Sequence, residues 1–238
     1  MPTVVFFAGT GLHPWVYNGG VSEEGRHGLA WVLQLVNQFH CNGLITSYRG
    51  IHDQAGTPSQ TGLQLDADAA IQYVTEQSAQ LGIDRHRIVV TGYEVGAAVA
   101  IHAAHAHRGK VTELIAMDAF VDGGEVALPL WKMYAQSFRH PRVPSALLGD
   151  SLWPNLERIG QLAPVPVLLL SNSHYIITPE YTPRLYQAVN SPCKLIYSFE
   201  TRIYGYNCDC TSIADALNEQ GYLDTMAAYM HALNNKTT

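Results

Sequence analysis

One carboxylate stands where the chain turns from a strand into a helix. The run Arg87-Ile88-Val89-Val90-Thr91 leads into Gly92-Tyr93-Glu94-Val95-Gly96, and Ala97-Ala98-Val99-Ala100 leads out. β-Branched residues favour the strand and alanines the helix, while the two glycines permit a sharp reversal between them. Glu94 is therefore expected at the carboxyl end of a strand and the amino end of a helix. Three chemistries are open to it. It can attack an electrophilic carbon, forming an ester that an activated water must then hydrolyse. It can act as a general base if a partly apolar pocket raises its pKa. Or it can be chemically idle, hydrogen-bonded to turn amides at a helix start, where the dipole favours an anion.

Other reactive side chains are sparser. His102, His105 and His107 follow on the same helical pattern, and the first two, three apart, can share a face as metal ligands. No carboxylate accompanies them at a familiar spacing, and such residues also serve as packing against a sheet, so neither a metal nor another cofactor is expected. Cys41, Cys193, Cys208 and Cys210 sit at no zinc spacing. Cys208 and Cys210 are too close for an easy mutual disulfide, so reduced thiols in a cytoplasm are the simpler expectation.

The elements that must position these groups are set by composition and pattern. A chain of 238 residues, 47% hydrophobic and 14% charged, suits one globular domain with a large core. Its 14 basic and 20 acidic residues are scattered, for a net charge of −6. That distribution offers no basic patch for nucleic acid or anionic lipid. No run approaches the ~20 continuous apolar residues of a membrane span. A strand begins almost at once, at Thr3-Val4-Val5-Phe6-Phe7, so no signal peptide is read. The expected partner is a small molecule in a pocket lined by some of the 13 Tyr.

Brief, nearly continuous apolar runs at 4–8, 44–48, 88–91, 114–117, 167–170 and 195–198 read as parallel strands covered on both faces. A helical stripe of Ala69, Ala70, Tyr73, Val74, Gln77 and Leu81 closes near Gly82. Leu223, Met226, Ala227, Met230 and Leu233 mark a last helix. This alternation predicts an α/β fold over residues 1–238. Its sheet is doubly wound, mostly parallel and of about six strands, with right-handed crossovers. Residues 121–163 break the rhythm with Pro129, Pro141, Pro144 and Pro154 among Trp131, Tyr134, Phe138 and Trp153. Such an insertion reads as a helical lid over a catalytic edge or as an excursion covering a sheet edge.

Several further pieces carry a family likeness. They are Phe7-Ala8-Gly9-Thr10-Gly11 after the first strand, Tyr48-Arg49-Gly50 after the second, and Asp84-Arg85-His86-Arg87-Ile88 before the third. Pro166-Val167-Leu168-Leu169-Leu170 then precedes Ile177-Thr178-Pro179-Glu180. In series with the Glu94 turn, these resemble a small α/β-hydrolase of the dienelactone-hydrolase or short-esterase kind, over nearly the whole chain. The turn resembles the family's nucleophile elbow, Gly-x-Ser-x-Gly, with Glu94 in the serine's place. Haloalkane dehalogenases and epoxide hydrolases, which share the fold, use an Asp nucleophile there.

The resemblance implies a site remodelled at all three catalytic positions. The acid position, four residues before Pro179, holds Tyr175 with His174 beside it. The histidine position falls in Tyr204-Gly205-Tyr206-Asn207-Cys208-Asp209-Cys210, which contains no histidine. Because the family's loops converge, Glu94, His174 and Cys208 are the candidate catalytic residues, the types of a Cys-His-acid set in new places. Backbone amides of Val95 and of Thr10 or Gly11 would form an oxyanion hole. Tyr93, Tyr175 and Asn207 would line the pocket, with His13 at its mouth. Asp118 ends the next strand, where some members place their acid, and is equally suited to capping a turn. Arg49 is expected to pair with a nearby carboxylate. The implied function is hydrolysis of a small ester or lactone at a site centred on Glu94. The alternative is an inactive pseudoenzyme serving as a small-molecule-binding or protein-interaction module.

Overall fold

Six strands form one sheet in which every pairing is parallel. The computed structural model describes residues 1–9, 32–33, 35–37, 40–50, 54–126, 153–172 and 180–199. The strands are β1 (Thr3–Phe7), β2 (Asn42–Ile45), β3 (Ile88–Tyr93), β4 (Val111–Met117), β5 (Val167–Asn172) and β6 (Lys194–Phe199). Their order is β2-β1-β3-β4-β5-β6. All six apolar runs read from the sequence lie on these strands. Only the second shifts appreciably, ending at Ile45 rather than reaching 48. Among the described residues it is an edge strand paired only with β1, and beyond Ile45 the chain bonds to β1 through single groups instead of a ladder.

The helices are α1 (Gln60–Glu76), α2 (Ser78–Leu81), α3 (Val95–Ala106), α4 (Asn155–Ile159) and α5 (Tyr181–Ala188). Ser59 caps α1, its Oγ accepting from Gly62 N at 3.0 Å. α3 lies on β3 and β4, between α1 and α4, and is buried from Val95 through Ile101. Its alanines allow that close approach on several sides. The stripe expected on the helix before the turn is corrected. α1 buries Leu63, Ala67, Ile71 and Val74, whereas Tyr73 and Leu81 are exposed. The helix has apolar residues on two faces, and its packing on α3 selects the one that begins earlier, at Leu63. The stripe also does not run on to Leu81, because the chain breaks at Gln77 and restarts as α2.

From β1 the chain moves one way to β2; from β2 onward it moves the other way to β3 and then outward to β6. With right-handed crossovers, that reversal puts the segment before β2 on one face and α1, α3, α4 and α5 on the other. Val32 and Leu35 of that segment are buried, and a Cβ at Gly43 of β2 would lie 2.5 Å from Val32 Cγ1. The sheet is doubly wound, as expected.

Of the 121–163 insertion, residues 127–152 lie outside the described residues, as does the helix expected around 223–233. The insertion's two described ends are tied to each other and to the body, Trp153 N donating to Gln60 Oε1 of α1 at 3.1 Å. Leu156 N donates to Val121 O at 3.0 Å and Asn155 Nδ2 to Phe120 O at 2.9 Å, and Trp153 is fully buried.

One interior carboxyl gives the fold a pH signature. Burial pushes Glu113 of β4 up to about 7 from 4.5, against the lowering effect of Arg87, and its Oε2 has no hydrogen-bond partner among the described residues. A folded pKa above the unfolded one means the native state holds the extra proton between those values. Stability therefore falls as pH rises from about 4.5 to about 7. Glu113→Gln is expected to flatten that slope and to stabilise the chain at pH 8 by on the order of 1–3 kcal/mol. Urea unfolding of both proteins at pH 5 and pH 8 measures it, and parallel pH slopes would refute it.

Candidate active site at the carboxyl end of the sheet

β1 and β3 are neighbours, yet the chain leaves them towards opposite faces of the sheet. Their carboxyl ends therefore flank a crevice, the place where open α/β sheets bind ligands. Ala8 and Gly9 leave β1 on one side of it; Glu94 leaves β3 on the other.

The turn at Glu94 is as sharp as its glycines suggested. Glu94 has φ 52° and ψ −114°, a conformation that costs a side-chain-bearing residue energy and marks functional turns. Its amide donates to Met117 O at 3.0 Å, and its carbonyl accepts from Ala97 N at 3.0 Å and Ala98 N at 3.2 Å. The residue is thus locked to β4 and to the first turn of α3. Gly92 and Gly96 are required by contact: a Cβ on Gly92 would stand 2.1 Å from Gly96 O, and one on Gly96 2.1 Å from Phe7 O.

Across the crevice, Gly9 meets both the turn and its carboxylate. A Cβ there would lie 2.7 Å from Tyr93 Cδ1 and 3.4 Å from Glu94 Oε2. Glu94, only 8% exposed, therefore has a carboxyl oxygen against Gly9 at the exit of β1. Tyr93 is half-buried beside it. Val95 opens α3, so its amide belongs to the first turn, whose N–H groups have no intrahelical acceptor.

Asp118 is a second buried carboxylate at this edge, with φ 48° and its amide donating to Leu170 O at 2.9 Å. Tyr93 is in register with Met117, so Glu94 and Asp118 leave adjacent strand ends side by side. The sequence signal was there, a lone acid directly after an apolar run, but turn-capping explained it equally well. Arg49 pairs as expected, through Nε and Nη2 with Asp66 Oδ1 at 2.9 and 2.7 Å. Tyr48 Oη donates to Ala8 O at 3.0 Å.

The histidines of α3 have partners that spacing along the sequence did not reveal. His102 and His107, not His102 and His105, converge, with Nε2 atoms 3.1 and 2.8 Å from Asp68 Oδ1 on α1. His105 turns to Gln161 Oε1 at 3.0 Å. Burial holds the His102 pKa below its ordinary value, although Asp68 opposes that shift. Among the described residues, no group of three His, Cys, Asp or Glu side chains is arranged to hold a metal ion. Cys41, buried, and Cys193, half-buried, are free thiols. No described helix is long and apolar enough to cross a membrane.

Of the residues expected at the site, only the consecutive Tyr93, Glu94 and Val95, which form the turn itself, are among the described residues. Thr10, Gly11, His13, His174, Tyr175, Asn207 and Cys208 lie outside the described residues.

A parallel sheet in this order, with a strained strand–turn–helix elbow on its third strand in sequence, is the α/β-hydrolase fold. The alpha/beta hydrolase domain-containing protein WAV2 of Arabidopsis thaliana is 29% identical over 192 residues, which are 79% of this chain and 57% of that protein. Protein bem46 of Schizosaccharomyces pombe is 26% identical over 183 residues, 76% of this chain and 58% of that protein. The chain thus matches somewhat under three fifths of the length of these relatives. An acetyl ester-xyloside bifunctional hydrolase from Caldicellulosiruptor lactoaceticus superposes with a TM-score of 0.67 at 16% identity, over 98% of this chain and 84% of that one. No family profile matches the chain.

Proposed function

We propose that this chain hydrolyses a small acyl-type substrate, an ester or lactone, with Glu94 at the reacting centre. The observation that carries the reading is the strained, buried carboxylate at φ 52° in the β1/β3 crevice. A non-glycine residue kept in that conformation by contacts on both sides is a common mark of a working site. In this reading Glu94 takes a proton from a water as the water oxygen adds to the acyl carbon. The resulting oxyanion is met by the amides of Val95 and of Thr10 or Gly11. Collapse expels the alcohol, which receives the proton. His174 and Cys208 complete the proposed constellation, His174 as the partner that orients the carboxylate or the water. The structural neighbours named as esterases and hydrolases support the choice of reaction class.

One observation favours a second reading. Glu94 Oε2 lies against Gly9, next in sequence to Thr10 and Gly11, and in this reading the protein's own carboxylate would occupy the proposed oxyanion site. A binding module would keep that arrangement. Short aryl esters and lactones offered to the wild type and to Glu94→Gln separate the two. Turnover by the wild type that collapses in the variant supports hydrolysis, whereas ligand binding without turnover in either supports the module.

A further inference from the structure

We propose that Tyr48 is a positioning residue whose hydroxyl, on the Ala8 carbonyl, holds the exit of β1 at the height where Gly9 meets the Glu94 carboxylate. The inference rests on Glu94 lying at the reacting centre, as proposed above.

After Ile45 the chain continues alongside β1 without a ladder, gripping it at separate points. Thr46 N and Oγ1 donate to Phe6 O at 3.1 and 2.9 Å, and Tyr48 Oη reaches Ala8 O at 3.0 Å. The opposite side is closed by the elbow helix, because a Cβ on Gly96 would lie 2.1 Å from Phe7 O and 2.5 Å from Ala8 O. The Ala8 carbonyl is thus held between a buried phenol and the first turn of α3, and the next residue is Gly9.

Tyr48 is itself held. Arg49 N donates to Asp66 Oδ2 at 2.9 Å, while its guanidinium engages Oδ1, tying the backbone beside Tyr48 to α1. Gly62 makes room for that side chain, since a Cβ there would lie 2.7 Å from Arg49 Cδ. Burial keeps the Tyr48 hydroxyl protonated well above the usual phenol range, so it remains a donor. A phenol with 1% exposure needs a hydrogen-bond partner, but many carbonyls would satisfy it. This one belongs to the residue before Gly9, which lies against Glu94 Oε2.

Tyr48→Phe deletes one oxygen and keeps the ring. The test compares it with Thr112→Val, which removes a hydrogen bond of similar kind, Thr112 Oγ1 to Ile88 O at 2.9 Å, at the other end of the sheet. Both variants are expected to unfold within a few degrees of the wild type. In Tyr48→Phe alone, the 13C resonance of the Glu94 carboxyl moves and the Gly9 amide exchanges about tenfold faster. For any ester the wild type turns over, kcat falls about tenfold with KM unchanged. Wild-type resonance and exchange in Tyr48→Phe, or equal changes in Thr112→Val, would overturn the proposal. A wild type that turns over no substrate refutes hydrolysis at Glu94, while the resonance and exchange readouts still judge Tyr48.

Discussion

Glu94→Gln is expected to lower kcat on a short aryl ester by about 10²- to 10⁴-fold, the range spanned by losing a positioned base. The substitution keeps the length of the side chain and an oxygen directed at Gly9, while removing the charge and the basic site. Backbone strain is unchanged, since Gln meets the same steric limits at φ 52° as Glu. The amide of residue 94 still donates to Met117 O, and its carbonyl still receives Ala97 and Ala98. KM should therefore stay within about threefold, because binding surfaces are preserved and only the reacting group is lost. A carboxylate nucleophile would be abolished by the same change, so both active roles predict the loss. Steady-state kinetics on refolding-checked protein measures it, and a variant with undiminished kcat would exclude Glu94 from the chemistry.

Gly96→Ala is expected to cost about 4 kcal/mol or more and to leave little folded protein. A methyl at this position would stand 2.1 Å from Phe7 O and 2.5 Å from Ala8 O. Both obstacles are backbone atoms of the first strand and its exit, so no rotamer change relieves them. The only relief is to lift α3 off β1. That separates a helix buried from Val95 to Ile101 from its seat, and pulls the elbow away from Gly9. Gly109→Ala is the matched control: nothing lies within 4 Å of the added carbon, and the change should stay within about 0.5 kcal/mol. Urea unfolding of both variants provides the comparison, and a Gly96→Ala protein as stable as Gly109→Ala would contradict the packing described.

The strands were legible because each is buried on both faces and so reads as a short apolar run. The elbow was legible because Gly92 and Gly96 are needed in fixed relation to a strand and a helix. Even Arg49 was readable as an ion-paired residue, though its partner Asp66 was not. α1 was misread in part: of the expected stripe Ala69, Ala70, Tyr73, Val74, Gln77 and Leu81, Val74 is buried and Ala70 packs on the core, but the buried face is led by Leu63, Ala67 and Ile71. Periodicity tells which residues share a side of a helix; it does not tell which side meets α3. The histidines of α3 were misjudged for a related reason, as Asp68 lies on another helix and spacing along one element cannot show it.

By itself, the sequence determined the α/β class, the six strands, and a carboxylate at the strand–helix turn where a hydroxyl nucleophile would be expected. Those features depend on local propensity and on burial, which act over a few residues. Only the tertiary structure decided what surrounds that carboxylate. The reversal of strand order at β1 opens the crevice, and Gly96 lets α3 press on the Phe7 and Ala8 carbonyls. Tyr48 bonds the Ala8 carbonyl, next to the Gly9 that meets Glu94 Oε2, from 40 residues away along the chain. Contacts at that separation arise from how parallel strands stack and which way their crossovers turn, and no local pattern encodes them.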